Sequence, residues 1–201
     1  MIKTCSEINK KEQQIRVDDE KDRDFFKGFD KVLIVGNCGS GAYPLFRWQI
    51  FNTNNEEKYL WIDIIENKSL VNDLKKDNID ILYNESLENK AILKKYKRLF
   101  LNIAEDQSID LGEAMRLNMP FTLRIPAREI RQRPLKSLKE YFDLIIIAKP
   151  IDRELTELHY LLPELEKEIN LFKRYEDVIF VDKKYVKLMK VTLSKDFPLN
   201  V

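Results

Sequence analysis

The segment of this chain best suited to chemistry is Gly36, Asn37, Cys38, Gly39, Ser40, Gly41, Ala42 and Tyr43, followed by Pro44. Gly36 and Gly41 occupy the first and sixth positions of the phosphate-binding pattern G-x-x-x-x-G-K-[ST]. In such a turn successive backbone N–H groups converge on an anion, assisted by the positive end of the helix that follows. The last two positions depart from the pattern. Ala42 stands where a lysine should reach the β- and γ-phosphates, and Tyr43 where a Ser or Thr hydroxyl should hold Mg²⁺. Without them the charge on a transferring phosphoryl group is poorly neutralised, and hydrolysis of ATP should fall by orders of magnitude. Glycines in this number also suit a tight strand-to-helix turn that binds nothing.

The stretch VLIVGNCGSGAYPLF has a second reading. It resembles the first motif of S-adenosylmethionine-dependent methyltransferases, in which a strand runs into a G-x-G-x-G turn. That resemblance implies that Asp63 takes the ribose hydroxyls of S-adenosylmethionine and that Phe142, Asp143, Leu144 and Ile145 form the fourth motif. The residue usually acidic in the first strand is Ile34 here, and the glycines are spaced G-x-x-G-x-G.

Other groups carry weaker signals. Arg128, Arg131, Arg133, Lys136 and Lys139 form a basic run that suits contact with phosphates of nucleic acid, or an ordinary solvated loop. Asp63 and Glu66 suit acid–base work, although charges at the end of a strand are expected to be solvated. His159 fits a packed or surface histidine better than a general base, and Trp48 and Trp61 are expected in the core. Cys5 and Cys38 are the only cysteines, one in a polar tail and one in the glycine turn, so reduced thiols are expected. One His and two Cys make a structural zinc site unsupported.

These residues need a scaffold, and the apolar runs supply one. KVLIV over 31–35 is continuous in the manner of a strand buried on both faces. Further strands are predicted over 59–65, 79–83, 98–103, 121–125, 142–148 and 178–181, with a ragged β-like tail beyond. Helices are predicted over 44–51, 69–76, 87–96, 109–117 and 155–175, the last offset at Pro163. The segment 126–139 reads as a loop with a short helix. Strands alternating with helices imply an α/β fold with a mainly parallel sheet covered on both faces, three layers in all. Ligands in such sheets bind at the carboxyl ends of the strands, which is where the glycine turn falls.

The 201 residues suit one domain, 25–201, preceded by a flexible polar arm over 1–24 whose sparse apolar surface cannot offset the entropy of ordering. Lys and Arg total 35 against 34 Asp and Glu, so no global pull toward nucleic acid or an anionic membrane exists. No apolar run approaches the ~20 residues of a membrane span, and the first residues show no signal-peptide core. An intracellular protein with no membrane partner is expected.

Taken in order, the landmarks of residues 30–165 resemble the packaging ATPases of large DNA viruses, the poxvirus-type branch of the FtsK/HerA superfamily of P-loop NTPases. They are GNCGSGAY, KYLWIDI, NIDILYNESLENKAI, RLFLNIAED at the place of a Walker B segment, MRLNMPFTLRIP, and FDLIIIAKP with the Leu/Glu-rich helix after it. The resemblance implies an acidic pair after RLFLNI, the first residue organising Mg²⁺ and the second polarising water. Those positions hold Ala104 and Glu105, then Asp106, so Glu105 could still serve as a base for a residual ATPase while the metal organiser is missing. The family's polar sensor on the next strand, usually glutamine, has Arg124 or Arg128 as its nearest equivalent. Lysine, hydroxyl and metal organiser are thus lost together. The resemblance implies a pseudo-ATPase in a virion or viral factory, homo- or hetero-oligomeric, with Arg128, Arg131 and Arg133 facing a protein or nucleic-acid partner.

Overall fold

A computed structural model describes residues 14–16, 28–37, 40–51, 53–63, 77–83, 93–103, 111–130, 134–149, 152–173 and 177–192. Nine strands among them form one sheet: β1 (Gln14–Arg16), β2 (Lys31–Val35), β3 (Tyr59–Asp63), β4 (Ile79–Tyr83), β5 (Arg98–Asn102), β6 (Phe121–Ile125), β7 (Leu144–Ala148), β8 (Asp177–Asp182) and β9 (Val186–Thr192). Their order across the sheet is β1-β9-β8-β7-β2-β6-β5-β3-β4, which puts β2 at the centre. Pairing is parallel except where β8 runs antiparallel to both β7 and β9. The mainly parallel α/β sheet expected from the apolar runs is the one observed.

The helices among the described residues are α1 (Ala42–Phe51), α2 (Leu111–Met115), α3 (Leu135–Tyr141), α4 (Asp152–Leu161) and α5 (Glu166–Ile169), with 3₁₀ turns at Ala127–Ile130 and Pro163–Leu165. Alternate residues of each strand face opposite layers. On one side Val32, Ile34, Trp61, Phe100 and Ile146 pack under Leu45, Phe46 and Trp48 of α1. On the other, Leu33, Leu101, Leu123 and Ile147 pack with residues of α2 to α5 such as Ala114, Leu138, Leu158 and Ile169. Full burial of one such side chain stabilises the fold by about 1.5–3 kcal/mol. Trp48 and Trp61 lie in the core, as expected, and Phe46 meets Trp61 and Phe100 edge-on at 6.2 and 6.1 Å between centroids.

Several elements differ from expectation. α1 begins at Ala42 rather than 44, and Pro44 falls in its first turn, where no intrahelical N–H is required. The helix predicted over 155–175 stops at Leu161, because Pro163 excludes the helical conformation at Leu162, which adopts φ −133° and ψ 61°. The ragged tail is a true strand, β9, hairpinned onto β8. Within the arm expected to be flexible, Gln14–Arg16 is strand β1, parallel to β9 from Gln14 opposite Lys190 to Arg16 opposite Thr192. Backbone ladder bonds to β9 pair these residues at the sheet edge. The helix predicted over 69–76 lies outside the described residues, as does most of that over 87–96. No helix among the described residues is long and apolar enough to cross a membrane.

Candidate functional site

The glycine turn leaves the carboxyl end of β2, between β6 and β7, and leads into α1. The Gly36 N–H extends the ladder by donating to the Ile125 carbonyl at 3.0 Å. Asn37 ties the turn to the segment after β6: its Oδ1 accepts from the Ala127 N–H at 2.9 Å. The chain then folds back over its own root. The Ser40 hydroxyl donates to the Asn37 carbonyl at 2.6 Å and accepts from the Ala42 N–H at 3.3 Å. Gly41 has φ 78°, the left-handed region where glycine is at no disadvantage, and its carbonyl accepts from the Leu45 N–H as α1 starts.

Beneath this turn runs a row of polar side chains that no glycine pattern announces. Ile34, Arg124, Asn102 and Asp63 are register partners on β2, β6, β5 and β3, so all four side chains share the α1 face. Arg124 is 1% exposed, Asn102 0% and Asp63 1%. Arg124 Nη2 donates to the Gly36 carbonyl at 2.9 Å. Its Nη1 donates to the Ile103 carbonyl at 3.1 Å and to Asn102 Oδ1 at 3.3 Å. Asn102 Nδ2 in turn donates to Asp63 Oδ1 at 3.1 Å. The expectation that Asp63 is solvated is therefore wrong. Its strand ends under the turn rather than in water, and a buried carboxylate is tolerable because Asn102 satisfies it.

The positions that should supply cation and metal have other surroundings. Ala42 is fully buried, and a Cβ built on Gly36 would lie 2.6 Å from the Ala42 Cβ and 3.2 Å from that of Ala148. The Tyr43 ring is half-buried, with the Arg47 guanidinium one turn along α1 at 5.8 Å from its centroid. Arg128 lies in the 3₁₀ turn after β6, partly exposed, with Nε 3.4 Å from Glu129 Oε1. The structure thus gathers Gly36, Asn37, Ser40, Gly41, Ala42 and Tyr43 at one strand end, with Arg128 in the neighbouring turn. Cys38, Gly39, Glu66, Ala104, Glu105, Asp106, Arg131 and Arg133 lie outside the described residues. Among those described, no three His, Cys, Asp or Glu side chains cluster as metal ligands would.

Two perturbed titrations lie at the opposite, amino end of the strands. Burial, reinforced by Glu57, pushes Tyr59 up to about 12. Burial also lowers Arg98, against the charges of Asp30, Tyr59 and Asp143. Arg98 there collects the carbonyls of Phe29, Asp30 and Phe121. This is a structural clamp away from the turn.

No protein-family model and no curated protein matches the chain. Solved structures do. The genome packaging NTPase B204 from Sulfolobus turreted icosahedral virus 2, in complex with sulfate, is similar with a TM-score of 0.52 and 18% identity, over 82% of this chain and 98% of B204. The same NTPase in complex with ATP-gammaS gives 0.50 and 20%, over 81% and 97%. The chain has a P-loop NTPase-like fold. The glycine turn of this chain follows the central strand, the place a phosphate loop takes in such folds. The strand order also removes the footing of the methyltransferase alternative. In the doubly wound dinucleotide fold the second strand lies beside the strand that enters the glycine turn. Here β6 and β5 separate β3 from β2, so Asp63 stands three strand spacings, roughly 14 Å, from β2 and is bonded to Asn102. The likeness to B204 extends to the fold and to nothing finer.

Proposed function

We propose that this protein is a P-loop NTPase-like subunit that has lost phosphoryl-transfer chemistry and serves a structural or interaction role beside a genome-packaging machine. One observation carries the reading: residue 42, the place of the phosphate-loop lysine, is a fully buried methyl group sealed under the turn. No cation can reach a γ-phosphate from there. Tyr43, with the Arg47 guanidinium over its ring, stands in place of the metal-binding Ser or Thr, and Ala104 replaces the metal organiser in sequence. The likeness to B204, solved with ATP-gammaS, supports ATP as the first ligand to test at Gly36, Asn37, Cys38, Gly39, Ser40, Gly41, Ala42 and Tyr43.

On this reading the protein acts inside the cell, in the cytoplasm, a viral factory or a virion, as part of a homo- or hetero-oligomer. Arg128, Arg131 and Arg133 are its contact with an acidic protein surface or a nucleic-acid backbone. The purified chain is expected to turn over Mg²⁺-ATP no faster than background. Turnover near ~1 s⁻¹, an ordinary enzymatic rate, that disappears in Glu105→Gln would overturn the catalytic part and make Glu105 a working base. The triple variant Arg128→Glu, Arg131→Glu, Arg133→Glu tests the interaction part. It should lose oligomerisation or DNA retention, and the DNA arm should weaken steeply with salt. A folded triple variant unchanged in both removes the basic run from the proposal.

A further inference from the structure

The buried row beneath the turn calls for a physical account, since a guanidinium at 1% exposure is costly to desolvate unless its geometry is well partnered. An apolar side chain of similar volume would fill the same space between sheet and α1 without that cost. What Arg124 provides instead is a rigid fork joining two separate strand ends. Nη2 holds the Gly36 carbonyl, the point where β2 becomes the turn. Nη1 holds the Ile103 carbonyl, the residue just past the end of β5. The fork is itself oriented. Guanidinium offers donors only, so the Asn102 amide must turn Oδ1 toward Arg124 and Nδ2 toward Asp63, and the Asp63 carboxylate secures that choice. The order of control runs from Asp63 through Asn102 to Arg124 and so to Gly36.

Arg124 also leaves a permanent positive charge under the glycine turn, in a chain that has alanine rather than lysine at 42 and tyrosine rather than Ser or Thr at 43. We infer that Arg124 is the positioning residue of Gly36, where β2 becomes the glycine turn, held by Asn102 and Asp63, and that it presets this strand end for a phosphate-bearing ligand without a divalent cation. The inference rests on reading the turn as a phosphate loop by position. It differs from the loss of catalysis in that it assigns a surviving capacity, metal-independent binding, to this chain's own residues.

The test is calorimetric titration of the full chain with ADP, once in Mg²⁺ and once in EDTA, beside Arg124→Lys. The unaltered chain should bind ADP with affinities equal within about twofold in the two buffers. Arg124→Lys keeps the charge and loses the fork, so its affinity should fall about tenfold or more in both. A role confined to holding the sheet together would lower the melting temperature of Arg124→Lys and leave ADP affinity of the folded protein unchanged, which would overturn the inference. Binding that requires Mg²⁺, or no ADP binding in either buffer, would overturn it as well. The Mg²⁺ and EDTA comparison uses the unaltered chain, so it decides the metal-independent part even if Arg124→Lys fails to fold. Turnover of ATP, by contrast, would sink the proposed loss of catalysis and leave this comparison readable.

Discussion

Gly36 has no room for a side chain. A Cβ there would strike the Ser40 hydroxyl and lie 2.6 Å from the Ala42 Cβ, because Ser40 folds the turn back over its own first residue. The Ser40 hydroxyl could swing away only by giving up its bonds to Asn37 and Ala42, and the Ala42 methyl, fixed to the first turn of α1, cannot yield without moving backbone. Overpacking of this kind costs about 1–3 kcal/mol. Gly36→Ala should therefore melt lower by roughly 2–4 °C for each kcal/mol lost in a chain of this size. Calorimetric melting checks this, and a midpoint within about a degree of the parent would show that the turn relaxes freely. The same crowding separates the need for glycine here from ligand binding: Gly36 is required by the fold whether or not an anion occupies the turn.

α1 is seated on the sheet by more than apolar contact. Thr122 Oγ1, fully buried on β6, donates to Gln49 Oε1 of α1 at 2.9 Å, and Arg98 Nη1 approaches the same hydroxyl at 3.3 Å. This polar peg stands one pleat below Arg124 on the same strand face, so β6 holds α1 with Thr122 and the turn with Arg124. Thr122→Val preserves shape and removes the hydroxyl, leaving a buried amide oxygen of Gln49 without its donor. The cost of such an orphaned acceptor is about 1–3 kcal/mol, to be read from the urea midpoint at unchanged slope. A neutral result would mean that Gln49 finds another donor and that packing of Phe46 and Trp48 alone seats the helix.

Across the whole molecule, Asp143 joins the central strand to the β8–β9 hairpin. Its Oδ2 accepts from the Lys31 N–H at 3.0 Å, and its Oδ1 lies 3.1 Å from Lys183 Nζ. Burial pushes its pKa up, but the Lys31 hydrogen bond, then the hydrogen bond and charge of Lys183, outweigh burial and hold it below 3.8. A carboxylate whose folded pKa is depressed contributes stability that is complete above the unfolded value and lost as pH falls through the folded one. The side chain is 32% exposed, so the effect is reduced by solvent screening. Asp143→Asn should be less stable at neutral pH, and its urea midpoint should fall less steeply below about pH 4. Parallel acid limbs for the two proteins would show that Asp143 does not govern acid stability.

The apolar runs within 31–35 and 142–148 specified their strands without help, because burial on both faces demands unbroken apolar sequence wherever the strand sits. Gly36 and Gly41 likewise announced the turn, and the absence of a lysine at 42 and of a Ser or Thr at 43 is a fact of sequence alone. Strand order was a different matter. Nothing local in YLWID, RLFLN or FTLRI says that β6 and β5 stand between β2 and β3, since long-range pairing is decided by how helices and strands pack together. Only that order brings Asp63, Asn102 and Arg124 into one row under the glycine turn. An aspartate ending a strand looks solvated in sequence and becomes a buried partner once its neighbours are known. The Ser40 closure and the docking of β1 on β9 are of the same kind. Each depends on groups far apart in the chain, whose hydrogen bonds form only after the sheet has brought them within reach.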